Sequence, residues 1–202
     1  MGLPLSVPTL PELLHQAVPV LSSVAVGKWH VGLFCDAMLP TARGFKSFFG
    51  YLDGAESYTA HGNNMGFCGD GADRGNGTGP ERTASVAGSS GPFALDLWNG
   101  TAPARGWDGV YSSTMYSRVI SNAIEQHDLS KPLFLYAAFQ NVHEPIDAPD
   151  AFRDLYANST NSSSRALFSA DVSALDDAVA NLTRSLQARG IWNDTLLVFT
   201  TE

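Results

Sequence analysis

The feature that most constrains this chain is an unbroken apolar run from Leu133 to Phe139, set directly after Lys131-Pro132 and followed at once by Gln140-Asn141-Val142-His143. A short run without alternation suits a strand buried on both faces, and such a strand needs cover on each side of its sheet. The rest of the chain offers that cover. Thr9 and Glu12 form a capping box, Pro11 fits the first turn, and Leu13, Leu14, Ala17 and Val18 give a helix one apolar face before Pro19 stops it. Ser23 to Val26 reads as a short strand leading into Gly27-Lys28-Trp29-His30. Met115, Val119, Ile120, Ala123 and Ile124 mark a second helix. Phe168, Val172, Leu175, Val179, Leu182 and Leu186 mark a third, long one that Gly190 ends. Leu196 to Phe199 reads as a further buried strand. Strands alternating with helices predict an α/β fold, a parallel-rich sheet flanked by helices. Residues 61–92 are dense in Gly, Ser, Thr and Asn and are expected to form an irregular, exposed insertion. Asp70 and Asp73 lie near glycines there, but the spacing and closing Glu of a calcium loop are missing.

In parallel sheets ligands gather at the carboxyl ends of strands. His30, His143 and Glu202 each lie just past a predicted strand. Lys28 and His30, two apart in an extended segment, share a face and pair a fixed cation with a titratable donor, a combination suited to an anion. His143 is placed to protonate a leaving group. Glu202 offers oxygen to a hard cation. Taken one at a time, each also has an ordinary reading: a solvated lysine, histidines satisfied in turns, an acidic residue in a loop.

The net charge of −8 argues against nucleic acid or an anionic membrane as a bulk electrostatic partner. With Lys28, Lys46 and Lys131 as its only lysines, the chain must hold any anionic substrate with a few local cations. No apolar run reaches the roughly 18 residues of a membrane span. The first residues, Met1 to Pro11, contain three prolines and no basic region, so they do not read as a signal peptide, and Met1 reads either as an internal methionine or as a gene-model start. Cys35 and Cys68 fit neither a CxxC nor a zinc pattern and leave two possibilities open, a disulfide or two buried thiols. Asn76, Asn99, Asn158, Asn161, Asn181 and Asn193 each begin an N-x-S/T triplet, against a chance expectation of about one or two at ordinary residue frequencies. In a eukaryotic source that excess points to the secretory route.

Several stretches then resemble one family. Gly27-Lys28-Trp29-His30-Val31-Gly32, Leu39-Pro40-Thr41-Ala42-Arg43-Gly44-Phe45 and Phe48-Phe49-Gly50-Tyr51-Leu52 follow one another as in the type I sulfatases of the alkaline-phosphatase-like superfamily. Tyr111-Ser112-Ser113-Thr114 and Met115-Tyr116-Ser117 are similar to that family's YST helix start. Lys131-Pro132-Leu133-Phe134-Leu135-Tyr136-Ala137-Ala138-Phe139-Gln140-Asn141-Val142-His143-Glu144-Pro145 is similar to its KPLFLYLA.Q.VHEP element. Leu175-Asp176-Asp177-Ala178-Val179, Gly190-Ile191-Trp192-Asn193-Asp194-Thr195 and Phe199-Thr200-Thr201-Glu202 continue the series. Within the family the arylsulfatase B group is the nearest match. The resemblance covers nearly all of residues 1–202 apart from the insertion, and reads as part of a sulfatase catalytic domain.

The resemblance implies a sulfuric ester hydrolase of the arylsulfatase or N-acetylgalactosamine-4-sulfatase kind, acting on a sulfated small molecule or glycan in a lysosomal or extracellular setting. By position, Lys28 would neutralise sulfate charge, His30 would contact the nucleophile, and His143 would serve the leaving oxygen. Glu202 would stand for the usual acidic Ca²⁺ ligand, its carboxylate displaced by about 1.5 Å through one extra methylene. Asn181 and Asn193 match glycosylated positions. The family's nucleophile is a formylglycine made from the cysteine of C-x-P-S-R, and no such segment occurs here: Cys35 precedes Asp36-Ala37-Met38, and Cys68 precedes Gly69-Asp70-Gly71. It is expected upstream, together with the paired aspartates of the metal site, so residues 1–202 alone are expected to be inactive. Two competing readings are a non-catalytic secreted glycoprotein that binds sulfated glycans, and another alkaline-phosphatase-like hydrolase such as a phosphodiesterase.

Overall fold

Three neighbouring parallel strands form the larger part of the main sheet, running from its middle to one edge. In the computed structural model, which describes residues 2–63 and 94–201, the chain runs α1 (Leu10–Ala17), β1 (Ser22–Lys28), β2 (Ser47–Tyr51), β3 (Gly62–Asn63), β4 (Ala94–Leu95), β5 (Trp98–Asn99), β6 (Ala102–Pro103), α2 (Ser112–Glu125), β7 (Leu133–Ala138), α3 (Asp150–Arg153) and α4 (Ser163–Ala188). The main sheet has the order β6-β5-β2-β1-β7. β1 is parallel to β2, from Val24↔Ser47 to Lys28↔Tyr51, and to β7, from Ser22↔Leu133 to Gly27↔Ala138. The short β5 and β6 add an antiparallel edge. The sheet is therefore mixed with a parallel part, as the α/β reading requires. The insertion expected at 61–92 lies outside the described residues from position 64 onward. On either side of that stretch β3 pairs with β4.

Because side chains alternate along a strand, β1 builds two cores at once. Val26, with Phe49 and Tyr51 of β2, packs against Met115, Tyr116, Ile120 and Ile124 of α2 and Leu186 of α4. Burial of each of these large side chains contributes about 1.5–3 kcal/mol. Ala25 and Phe48 face the other way, with Trp29, Phe45 and Leu52. On that side α1 is pinned by buried Arg43, whose Nε donates to Glu12 Oε1 at 3.1 Å and whose Nη2 donates to the Val7 carbonyl at 2.6 Å. The Thr9–Glu12 capping box forms as expected.

Three expectations change. Leu196 to Phe199 is exposed and forms no strand, because among the described residues no strand pairs with it. β7 is half-buried rather than covered on both faces: it lies at the sheet edge, and Tyr136 is 46% exposed beside Phe45. On α4 the buried stripe is Ala170, Asp171, Ala174, Ala178 and Leu186, while Phe168 and Val172 are exposed. Leu186 of the expected stripe is buried in the core with α2 and Leu182 packs against it, and beside them Ala170, Ala174 and Ala178 fill the rest of the buried face with small side chains that suit close helix approach.

Gly27 shows how tightly β1 and β7 meet. It has φ +103°, and a Cβ there would lie 1.9 Å from the Ala138 carbonyl oxygen. Gly27→Ala is expected to destabilise the protein by about 3 kcal/mol, from backbone strain plus the clash. The urea midpoint measures this, and an unchanged midpoint would show that the two backbones are not in such close contact.

Candidate functional site

Two parallel neighbours leave the sheet at the same edge, so β1 and β7 deliver the segments holding Lys28, His30 and His143 to one side of the molecule. Lys28 is the last residue of β1 and is half-buried. Beyond it the chain stays beside β2: Trp29 N–H donates to the Tyr51 carbonyl at 2.9 Å, and His30 N–H to the Leu52 carbonyl at 3.1 Å. His30 is exposed and takes a left-handed φ of 49°. Its ring lies over Gly54, where any Cβ would come within 2.8 Å of Cε1 and Nε2. The 52–54 turn is held by Asp96, which accepts from Leu52 N–H at 3.2 Å, Asp53 N–H at 2.9 Å and Trp98 Nε1 at 2.7 Å. Burial holds the Asp96 carboxyl above the usual carboxylate range against the pull of those three donors.

His143 is exposed on the turn after β7. Its N–H donates to the Gln140 carbonyl at 2.9 Å, and its Nδ1 lies 2.7 Å from the Glu144 carbonyl. A carbonyl only accepts, so Nδ1 carries the proton and Nε2 is the nitrogen left for a ligand. Gln140, buried beneath, accepts from Ser112 Oγ at 2.8 Å and donates a short bond to the Glu56 carbonyl. Asn141 accepts from Ser113 Oγ and donates to Asp171 Oδ1, both short bonds. Burial raises the Asp171 carboxyl, while donation from Tyr111, Asn141 and Tyr58 opposes that shift. Glu56 is also fully buried. Its Oε1 accepts from Tyr116 Oη at 2.9 Å and lies 3.9 Å from His61 Nδ1, while its Oε2 has no hydrogen-bond partner.

Two family-level comparisons bear on this geometry. The sulfatase family model matches residues 1–201. The chain belongs to the sulfatase family. It is 32% identical to mouse (Mus musculus) arylsulfatase J over 201 residues, 99% of this chain and 29% of that protein. It is 28% identical to the arylsulfatase of Klebsiella aerogenes over 129 residues, 64% of this chain and 23% of that protein. The chain thus spans less than a third of either relative. Among solved structures, Ps i-CgsB in complex with k-i-k-neocarrahexaose superimposes with a TM-score of 0.71 at 20% identity, covering 94% of this chain and 38% of that one. That likeness shows the fold, a part of the sulfatase architecture.

Sulfatase-family membership implies calcium, and the described residues do not fit it: they contain no cluster of three or more His, Cys, Asp or Glu side chains able to hold a metal. Glu202, the expected ligand, lies outside the described residues, as does Cys68. Cys35 is exposed, which excludes its reading as a buried thiol. Among the described residues no helix is long and apolar enough to cross a membrane. Asn181 lies on α4 with its amide donating to Asp177 Oδ2 at 3.0 Å, and Asn193 is exposed in the turn after that helix. The sequence reading passed over Asp171, Glu56, Tyr58 and Tyr111. An acid between Ala170 and Val172 on a helix packed into the protein was the one visible sign, since acids are rarely fully buried without partners.

Burial of Glu56 pushes its carboxyl up to about 7. A folded-state pKa raised above the unfolded value means that the stability contributed by the protonated acid is complete below about pH 4.5 and is lost as pH rises through about 7. Glu56→Gln is therefore expected to flatten the fall in urea midpoint across that range. An unchanged slope in the variant would remove Glu56 as its source.

Proposed function

We propose that this chain supplies part of a sulfuric ester hydrolase site, with Lys28, His30 and His143 as its working residues. The observation that carries the reading is the parallel pairing of β1 with β7, which sends all three toward one sheet edge in a chain of the sulfatase family. Hydrolysis of a sulfate ester builds negative charge on the sulfuryl oxygens and on the departing alcohol oxygen. Lys28 neutralises the first. His30, held over Gly54, donates at the nucleophile end. His143 presents Nε2 and, in its doubly protonated form, hands that proton to the leaving oxygen.

The substrate class we favour is a sulfated glycan, with N-acetylgalactosamine 4-sulfate as the specific candidate. The glycan reading draws support from a structural neighbour solved with k-i-k-neocarrahexaose, and the choice of sugar rests on the resemblance of the motifs to those of arylsulfatase B. A secretory, lysosomal or extracellular setting accords with the density of sequons. Asn181 and Asn193 are the proposed glycan sites, and glycosidase treatment of protein secreted from eukaryotic cells is expected to increase its gel mobility. Unchanged mobility would exclude both sites.

The kinetic test requires a protein in which this chain is joined to a C-x-P-S-R segment. A general acid matters in proportion to the basicity of the departing oxygen. His143→Ala is expected to lower kcat/KM about 100-fold or more on the 4-sulfated sugar, and less than about 10-fold on nitrophenyl sulfate. Lys28→Ala should reduce both comparably. The 202-residue chain by itself, which carries no C-x-P-S-R segment, is expected to turn over neither substrate with added Ca²⁺. Equal losses on both substrates for His143→Ala would overturn the general-acid role.

A further inference from the structure

We infer that Asp171, on α4 and far from His143 in sequence, is the positioning residue for the His143 turn. This deepens the reading above and rests on it for the role of His143. Asp171 is 0% exposed. Its Oδ1 accepts from Tyr111 Oη at 2.7 Å and from the Asn141 amide by a short bond. The Asn141 amide also donates to Tyr111 Oη at 2.9 Å. Its Oδ2 lies 3.3 Å from Tyr58 Oη, which in turn is 3.1 Å from the His143 carbonyl. Every group turned toward the carboxylate is a donor, so the pocket is built around an acceptor.

Two routes therefore run from Asp171 to the turn. One passes through the Asn141 side chain, two residues before His143. The other is the Tyr58 hydroxyl, whose one proton is shared among Asp171 Oδ2 at 3.3 Å, the His143 carbonyl at 3.1 Å and the Gln140 carbonyl at 3.4 Å, so that the ring is held between the acid and the turn. The Tyr58 and Tyr111 rings stack at 5.1 Å with 8° between planes, so the two hydroxyls reach Asp171 from a rigid pair. The ring of His143 closes on the carbonyl of its own neighbour, Glu144, and that closure persists only while the turn keeps its shape. Asp171 thus decides which ring nitrogen of His143 is presented, without touching the ring. Through Tyr111 the same acid also ties α4 to the start of α2, and through Asn141 it holds the turn.

The test uses the 202-residue chain with ¹⁵N-labelled histidine, at a pH where imidazole is neutral, and with His143→Gln to assign the signals. Wild-type His143 is expected to show a protonated Nδ1 and an unprotonated Nε2. Asp171→Leu and Tyr58→Phe are each expected to mix the two tautomers. They should also speed amide exchange at Asn141 to His143 by at least about 10-fold, while Val24 to Val26 of β1 stay within about twofold. Asp171→Asn keeps one acceptor and is expected to restore the wild-type tautomer. Should Asp171→Leu fail to fold, Tyr58→Phe and Asp171→Asn decide by the same signals. An unmoved His143 signal in Tyr58→Phe and in any folded Asp171 variant, or equal loss of protection in β1, would overturn the proposal. The histidine signals do not depend on turnover, so failure of the sulfatase reading would appear in the kinetics alone.

Discussion

Everything at the site depends on the two parallel ladders of β1. That strand hydrogen-bonds to β2 on one side and to β7 on the other, and its glycine at position 27 lets the β7 backbone come against it. Parallel pairing makes strands that are distant in sequence end together. Residues near 30 and near 143 share an edge for that reason alone. In an antiparallel pair one of them would leave at the opposite end.

The edge is then stiffened from below by buried polar groups. Gln140, Asn141, Glu56 and Asp171 are each satisfied, wholly or in part, by hydroxyls and backbone groups of other elements. Burying such groups costs stability unless partners are supplied with good geometry. In this fold the partners come from the start of α2, through Tyr111, Ser112 and Ser113, and from α4 through Asp171. The apolar core sets where the elements lie, and the polar layer sets the finer placement of the turn after β7. Glu56 is buried with one oxygen unpartnered, and burial pushes its carboxyl up to about 7, which makes this acid the pH-sensitive point of the layer.

The errors of the sequence reading share a cause. Leu196 to Phe199 has the composition of a buried strand, yet it lies exposed, because composition reports what a segment can do and not whether a neighbour is there. On α4 the large apolar residues at four-and-three spacing implied the buried face, and only its C-terminal end, Leu186 with Leu182, meets the core; toward the start of the helix Phe168 and Val172 are exposed and the protein buries Ala170, Asp171, Ala174 and Ala178. Spacing fixes a helix, but the face that turns inward depends on the helix it meets.

The linear order of residues was enough to determine the α1 cap, the strands β1 and β7 and the α/β class, and to single out Lys28, His30 and His143 as candidates, since each follows from local pattern or from motifs that are contiguous in the chain. Tertiary structure alone decided that Asp171, Tyr58, Tyr111 and Asn141 converge beneath the His143 turn and meet there through their polar groups. Those facts rest on hydrogen bonds between residues 30 to 113 positions apart, and such separations leave no periodic trace in a sequence.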